Sequence, residues 1–171
     1  MVLDPASDFL IVATPMGTPL LAEYDSAGVR ALHYWRQGDH PPARTRDDAP
    51  RGDALGRAIL AQLREYFAGQ RREFDLPLVI EGTEFRRRVW DALRRIPYGE
   101  VRTYGEVARE LGNPSATRAI GQANRENRFP IVIPCHRVVA AGGIGGYAGS
   151  ESGTEIDTKR WLLRHEGGYR G

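Results

Sequence analysis

An apolar run, Ile131-Val132-Ile133, stops at Pro134 and gives way to Cys135-His136-Arg137-Val138-Val139. This stretch constrains the fold more than any other. Successive β-branched residues fit a strand buried on both faces, and a proline closes such a strand because it cannot donate to a ladder. The run therefore predicts a buried strand, and the glycines after Val139 predict a loop carried on a rigid support. Cys135 stands at the junction, with His136 and Arg137 directly after it.

Cys135 is the single cysteine of the chain. That excludes an internal disulfide and any multi-cysteine zinc site, and it suits a reducing compartment. A lone buried cysteine is ordinarily a small core hydrophobe. Two costly polar side chains beside a core strand need a reason, however, and a nucleophilic thiolate supplies one. A free thiol near its reference pKa of about 8.5 is mostly protonated at neutral pH, so it needs a base or a positive field. His136 and Arg137 are the nearest sources. Successive side chains of a strand point to opposite faces, so His136 is not expected to touch the sulfur unless the backbone turns. A water between thiol and imidazole, with a carboxylate behind the ring to fix its tautomer, reconciles adjacency with activation. Glu166 is the candidate carboxylate.

The 171 residues, 41% of them hydrophobic, are enough for one large or two small domains with a proper core. The N-terminus, Met-Val-Leu-Asp-Pro-Ala-Ser-Asp, has no basic region followed by a long apolar stretch. Neither a secretory signal nor a membrane span is expected, and the location is expected to be cytoplasmic. The net charge of +2 is unevenly placed: residues 1–80 carry nine basic and eleven acidic side chains, residues 81–171 fifteen and eleven. An anionic partner would therefore dock on the second half.

Segments 9–14, 20–24 and 29–35 read as an antiparallel meander joined by turns at Gly17 and Gly28. Segment 36–52, rich in proline, arginine and aspartate, reads as a surface loop. Asp53 caps a helix to about Ala68, with Leu55, Ile59, Leu63 and Phe67 at helical spacing and Gly69 ending it. Segment 74–80 is a further strand candidate. Nothing catalytic clusters in this half, which reads as a scaffold.

The second half opens with a helix striped by Phe85, Val89, Trp90 and Leu93. Its arginines, Arg86, Arg87, Arg88, Arg94 and Arg95, read as a solvated face. Thr103 and Glu106 form a capping box for helix 104–111, Gly112-Asn113-Pro114 breaks it, and Ser115 is expected to cap a second helix, 116–125. The pair is a helix-turn-helix candidate. Ala116, Thr117, Ala119, Gly121 and Ala123 are too short to read base edges across the major groove. They do let a backbone approach closely, which suits a minor groove, with Arg118 long enough to insert. The glycine loop 141–149 lacks the spacing and lysine of a phosphate loop and reads as a cover over a flat substrate. Asp157 or Thr158 is expected to cap a last helix, 159–165, ended by Glu166.

Pro-Cys-His-Arg-Val at 134–138, Arg-Ala-Ile-Gly at 118–121 after Asn-Pro, and the ending Trp-Leu-Leu-Arg-His-Glu-Gly together closely resemble the O6-alkylguanine-DNA alkyltransferases, or methylated-DNA–protein-cysteine methyltransferases. The match is dense from about Thr83 to Gly167. The resemblance implies an α+β chain: an N-terminal α/β domain of ribonuclease-H-like topology with antiparallel strands (1–80), and a mainly helical domain with a helix-turn-helix (81–171) for DNA binding and alkyl transfer. It implies minor-groove binding to double-stranded DNA containing alkylated guanine, with Ser115, Thr117, Ala119, Gly121 and Gln122 at the DNA and Arg118 filling the stack left by a flipped base. Tyr104 would stand beside that nucleotide. Cys135 would accept the alkyl group, activated through His136 and Glu166, with Asn127 tethering the turn. Val138 would accept from the base through its carbonyl, and Tyr147 and Lys159 would lie in the substrate loop and beside the leaving oxygen. No metal, cofactor or membrane partner is implied. A monomer is expected, with cooperative assembly on DNA left open, as is O4-alkylthymine as a second substrate. Ala148 replaces a serine common in relatives, which leaves the range of alkyl groups open. Two rivals remain. A papain-like cysteine hydrolase needs a histidine on the sulfur and an oxyanion hole. A non-catalytic lesion-sensing DNA-binding module would leave Cys135 inert.

Overall fold

Short turns fold the first segments of the chain back on themselves, because each apolar alternation is interrupted where glycine can take a positive φ. In the computed structural model, which describes residues 6–35, 42 and 45–168, the first three strands are β1 (Asp8–Val12), β2 (Leu20–Asp25) and β3 (Gly28–Tyr34). They pair antiparallel, and β4 (Thr45–Arg46) adds in parallel to β1, giving the order β3-β2-β1-β4. The 36–52 loop is therefore not wholly irregular; its residues 36–41 and 43–44 lie outside the described residues, as does the expectation for the first five. Residues Met1–Ile80 form one compact unit and Glu81–Gly171 a second.

In the first unit, α1 (Ala54–Phe67) begins where Asp53 accepts from the Gly56 amide at 2.7 Å and from the Tyr24 hydroxyl at 2.5 Å. One carboxylate thus caps the helix and ties it to β2. Ile59, Leu60, Leu63 and Tyr66 form the buried stripe of α1. The strand expected over 74–80 reduces to a single bridge between Val29 and Leu78, flanked by hydrogen bonds from Val29 N to Pro77 O and from Val79 N to Val29 O. Pro77 has no N–H, so no longer ladder can form there. At Gly28 φ is +146°, and a Cβ would stand 2.5 Å from the Pro77 carbonyl oxygen. Gly28→Ala should therefore destabilise this unit by about 2–3 kcal/mol through strain and a backbone clash, read as a lower urea midpoint with an unchanged slope.

The second unit is mainly helical. Thr83 caps α2 (Glu84–Arg94), whose Val89, Trp90, Ala92 and Leu93 are buried. The Thr103–Glu106 capping box starts α3 (Tyr104–Glu110), and a turn leads to α4 (Thr117–Arg125). Ser115 does not cap α4. Ala116 occupies that position, and the Ser115 hydroxyl is spent on the Asn113 carboxamide at 2.8 Å. On α4, Ile120 and Ala123 pack inward, Arg118, Ala119 and Gln122 are exposed, and Trp90 Nε1 donates to the Ala123 carbonyl at 2.9 Å. The last helix, α5 (Thr154–His165), starts five residues earlier than expected, after Gly153 at φ +78°. Thr158 lies inside it and bonds back to the Thr154 carbonyl at 2.9 Å, the alternative open to a threonine that is not capping.

The run that opened the sequence reading is not a strand. Residues 129–139 are all buried, yet Ile131 has φ +75° and Cys135–Arg137 form one turn of 3₁₀ helix. Only Val138–Val139 extend, as β6, pairing in parallel with β5 (Arg102–Thr103). The run is apolar because it is enclosed on all sides, a condition that buried strands and buried turns share.

Candidate active site

Two devices, one of backbone and one of side chain, bring the site together. The β5–β6 pairing sets Thr103 opposite Val139, so Tyr104, the first residue of α3, starts next to the cysteine turn. The second device is Asn127. Its Nδ2 donates to the Ile133 carbonyl at 2.8 Å and to Cys135 Sγ at 3.2 Å, while its Oδ1 accepts from Phe129 N at 2.9 Å. One carboxamide thus holds a strained turn and touches the sulfur.

Sγ belongs to a cavity of about 440 Å³ lined by Tyr104, Arg118, Asn124, Cys135, Tyr147 and the glycine-loop residues 145–149, among others. That is the size range of a site for a small flat molecule. Cys135 is only 6% exposed, and burial pushes its thiol pKa up, opposed by the Asn127 hydrogen bond and the Lys159 charge. The resting sulfur is a protonated thiol.

His136 follows it in the same turn. The 3₁₀ turn rotates His136 into the interior, where it is 0% exposed and its Nε2 meets Glu166 Oε1 at 2.8 Å. Arg137, also buried, grips the same carboxylate: Nε to Oε2 at 2.8 Å, Nη2 to Oε1 at 3.0 Å, with Nη1 on the Ile96 carbonyl at 2.6 Å. Burial alone would raise the Glu166 pKa, but hydrogen bonds and charge from His136 and Arg137 hold it far below the usual carboxylate range. Burial lowers the His136 pKa, and the Arg137 and Lys159 charges add to that against the pull of Glu166. The imidazole is neutral and the carboxylate ionised, so the proton on Nε2 points at Glu166. Nδ1 keeps a lone pair, and among the described residues it is buried with no hydrogen-bond partner.

Lys159 is 0% exposed; its Nζ donates to the Val138 carbonyl at 2.7 Å and to the Gly146 carbonyl at 3.0 Å. It ties the glycine loop to β6 from behind. Neither Lys159 nor Val138 lines the cavity, whereas Tyr104, Thr117, Arg118, Gly121 and Tyr147 do. Ser115, Ala119 and Gln122 lie outside it, with Gln122 donating to Glu126 at 2.8 Å. Burial brings the Lys159 pKa down to about 8 from 10.5. The folded protein then holds fewer protons than the unfolded chain between those values, so stability climbs with pH across that window. Against Lys159→Met, which cannot titrate, the wild type should gain up to roughly 3 kcal/mol from pH 8 to 10.5 in urea titrations.

Among the described residues no group of three or more histidine, cysteine, aspartate or glutamate side chains is placed to hold a metal, and no helix is long and apolar enough to cross a membrane.

The family profile for the DNA-binding domain of 6-O-methylguanine DNA methyltransferase matches residues 84–168. A methylated-DNA–protein-cysteine methyltransferase of Methanosarcina acetivorans is 41% identical over 160 residues, spanning 93% of this chain and 97% of that protein. The chain belongs to the methylated-DNA–protein-cysteine methyltransferases. The crystal structure of the Mycobacterium tuberculosis O6-methylguanine methyltransferase matches with a TM-score of 0.78 at 36% identity, covering 94% of this chain and 93% of that one. A Mycobacterium tuberculosis relative solved in complex with DNA matches with a TM-score of 0.77 at 38% identity, covering 94% and 92%.

For a methyltransferase of this family, two residues of the site escaped the sequence reading. Arg137 was legible only as a charge beside the thiol; that it binds Glu166 depends on α5 returning to the 3₁₀ turn. Asn124 carried no signal at all beyond its place one turn after Ile120 on α4.

Proposed function

We propose that this protein repairs double-stranded DNA by moving the alkyl group of an O6-alkylated guanine onto Cys135, once per molecule. The observation that carries this reading is the order of groups at the sulfur. A base-sized cavity opens at Cys135, and the next residue of the same turn carries a neutral imidazole braced by an ionised carboxylate.

The guanine reaches the cavity by leaving the stack, at a cost of a few kcal/mol that is smaller for a badly paired, damaged base. The exposed face of α4, with small Ala119 and long Arg118, suits close approach in a minor groove, Arg118 occupying the space the base leaves. Thr117 and Gly121, at the rim, and Ser115 and Gln122, on the open side, would meet the DNA backbone.

The S–H proton passes to His136 Nδ1 through one water seated there, and Glu166 stabilises the imidazolium. Sγ attacks the alkyl carbon in line; the S–C bond forms, the C–O6 bond breaks, and the electron pair stays on the guanine. Tyr104, whose pKa is raised by burial and by the nearby sulfur, lines the cavity as a neutral hydroxyl able to protonate the leaving base. Tyr147 packs on the loop side and Lys159 holds that loop; the Val138 carbonyl, already taken by Lys159 and outside the cavity wall, would meet the base's exocyclic amine only if the loop shifts on binding. A thioether does not hydrolyse under these conditions, so the acceptor is spent. Catalysis needs no cofactor. We read the acting species as a monomer, and O4-alkylthymine, with the same reacting oxygen–carbon bond, as a secondary substrate.

Intact mass before and after incubation with a duplex carrying O6-methylguanine tests this. Replacement of one hydrogen by one methyl per protein, located on the peptide containing Cys135, is the expected result. Continuous turnover with no mass change would favour hydrolysis, and binding without any change would favour a lesion sensor.

A further inference from the structure

Among the described residues of the cavity wall, Asn124 carries a carboxamide whose polar capacity the resting protein leaves largely unused. It sits on the inner face of α4 and lines the same space as Tyr104, Arg118 and Cys135. Both amide atoms are shielded from solvent; among the described residues Oδ1 has no hydrogen-bond partner, and Nδ2 reaches nothing but the Tyr104 hydroxyl, outside good hydrogen-bond geometry. The carboxamide lies beside the Tyr104 hydroxyl, close enough to favour its ionised form. A buried acceptor left unpaired beside a poorly paired donor is rare in native structures and asks for an explanation.

Packing does not explain it. Ile120 and Ala123 on the same helix are fully apolar and fill the interior without polar atoms. A leucine or methionine at 124 would serve such a role better. Nor does Asn124 hold the turn at the sulfur, since Asn127 already does so with every polar atom it has.

We infer that Asn124 is a specificity-determining residue whose carboxamide is completed by the substrate, hydrogen-bonding the heteroatom edge of the base in the cavity next to the Tyr104 hydroxyl. A carboxamide offers one donor and one acceptor side by side, the pattern that matches a purine or pyrimidine edge. A site built around such a pair discriminates strongly, because a ligand lacking the partner atoms leaves it unsatisfied. The inference rests on the reading that a flipped base enters this cavity.

The test compares wild type, Asn124→Leu, Asn124→Gln, Tyr104→Phe and Tyr104→Phe/Asn124→Leu as full-length proteins. Each is given a duplex with O6-methylguanine in single turnover and, separately, iodoacetamide, which reports thiol reactivity without base recognition. Asn124→Leu should slow methyl transfer by about 10- to 100-fold. Cys135 alkylation by iodoacetamide and affinity for unmodified duplex should stay within about two-fold, because neither needs the base edge. Conservative Asn124→Gln should recover part of the transfer rate. In the double variant the losses should fall short of the product of the single ones, because both groups meet the same edge. Transfer by Asn124→Leu at the wild-type rate overturns the inference, as does a parallel fall in both reactions, which marks mere collapse of the cavity. If wild type itself transfers no methyl group, it is the proposed function that fails.

Discussion

Cys135→Ser abolishes methyl transfer while leaving the fold and duplex binding in place. The exchange keeps size and hydrogen-bonding capacity, so the Asn127 carboxamide retains a partner at 135 in addition to the Ile133 carbonyl. What changes is the acid. A thiol raised by burial can still hand its proton to a neighbouring imidazole, whereas an alcohol is several units harder to ionise and its oxygen is a poorer nucleophile toward saturated carbon. Loss of a nucleophile in other enzymes costs at least ~10⁴-fold, and the same scale is expected here. Quantifying methyl left on the DNA after incubation with excess protein measures it. Residual transfer within a hundred-fold of wild type would move the acceptor role away from the sulfur, and weaker duplex binding in the variant would separate the α4 face from the cavity less cleanly than proposed.

Much of the fold was legible because local chemistry and tertiary context agreed. Asp53 and Thr103 start helices just where their side chains and the apolar stripes after them said they would, since a cap bond and a buried stripe are set within a few residues. The errors fell where burial came from several directions at once. Ile131-Val132-Ile133 looks like a strand by composition, but Asn127 captures the Ile133 carbonyl and holds a turn instead. Ser115 and Thr158 look like caps, but each had a nearer acceptor. At the site, Cys135, His136 and Glu166 were readable as chemical types in a specific order. The double grip of Arg137 on Glu166 was not, because it joins residues 29 apart in sequence through a fold that no spacing rule encodes.

That grip sets the second large effect. Glu166→Gln should both destabilise the protein and slow it. In the wild type the Glu166 carboxylate accepts from Arg137 and His136, which bury their charge or their proton on it, and from the Gly99 amide at 3.4 Å. A neutral glutamine leaves the Arg137 guanidinium, 6% exposed, without its counter-charge. Breaking one side of a buried pair in this way costs about 3–5 kcal/mol. In the amide orientation that turns an N–H toward Nε2, the imidazole tautomer with its proton on Nδ1 is favoured, and Nδ1 is the atom proposed to receive the thiol proton. An inverted tautomer of this sort lowers catalysis by about 10³–10⁴-fold. The pH dependence gives an independent check. The Glu166 pKa is lowered in the folded state from 4.5, so its contribution is complete above that value and drains away as pH falls below it. Urea titrations from pH 7 to pH 3 should therefore show wild type losing its advantage over Glu166→Gln as the acid limb is reached, with the two curves converging. Curves that stay parallel down to pH 3 would mean that the carboxylate is not held ionised by its neighbours. The relay would then lack the fixed acceptor that keeps Nδ1 free to take a proton from the sulfur.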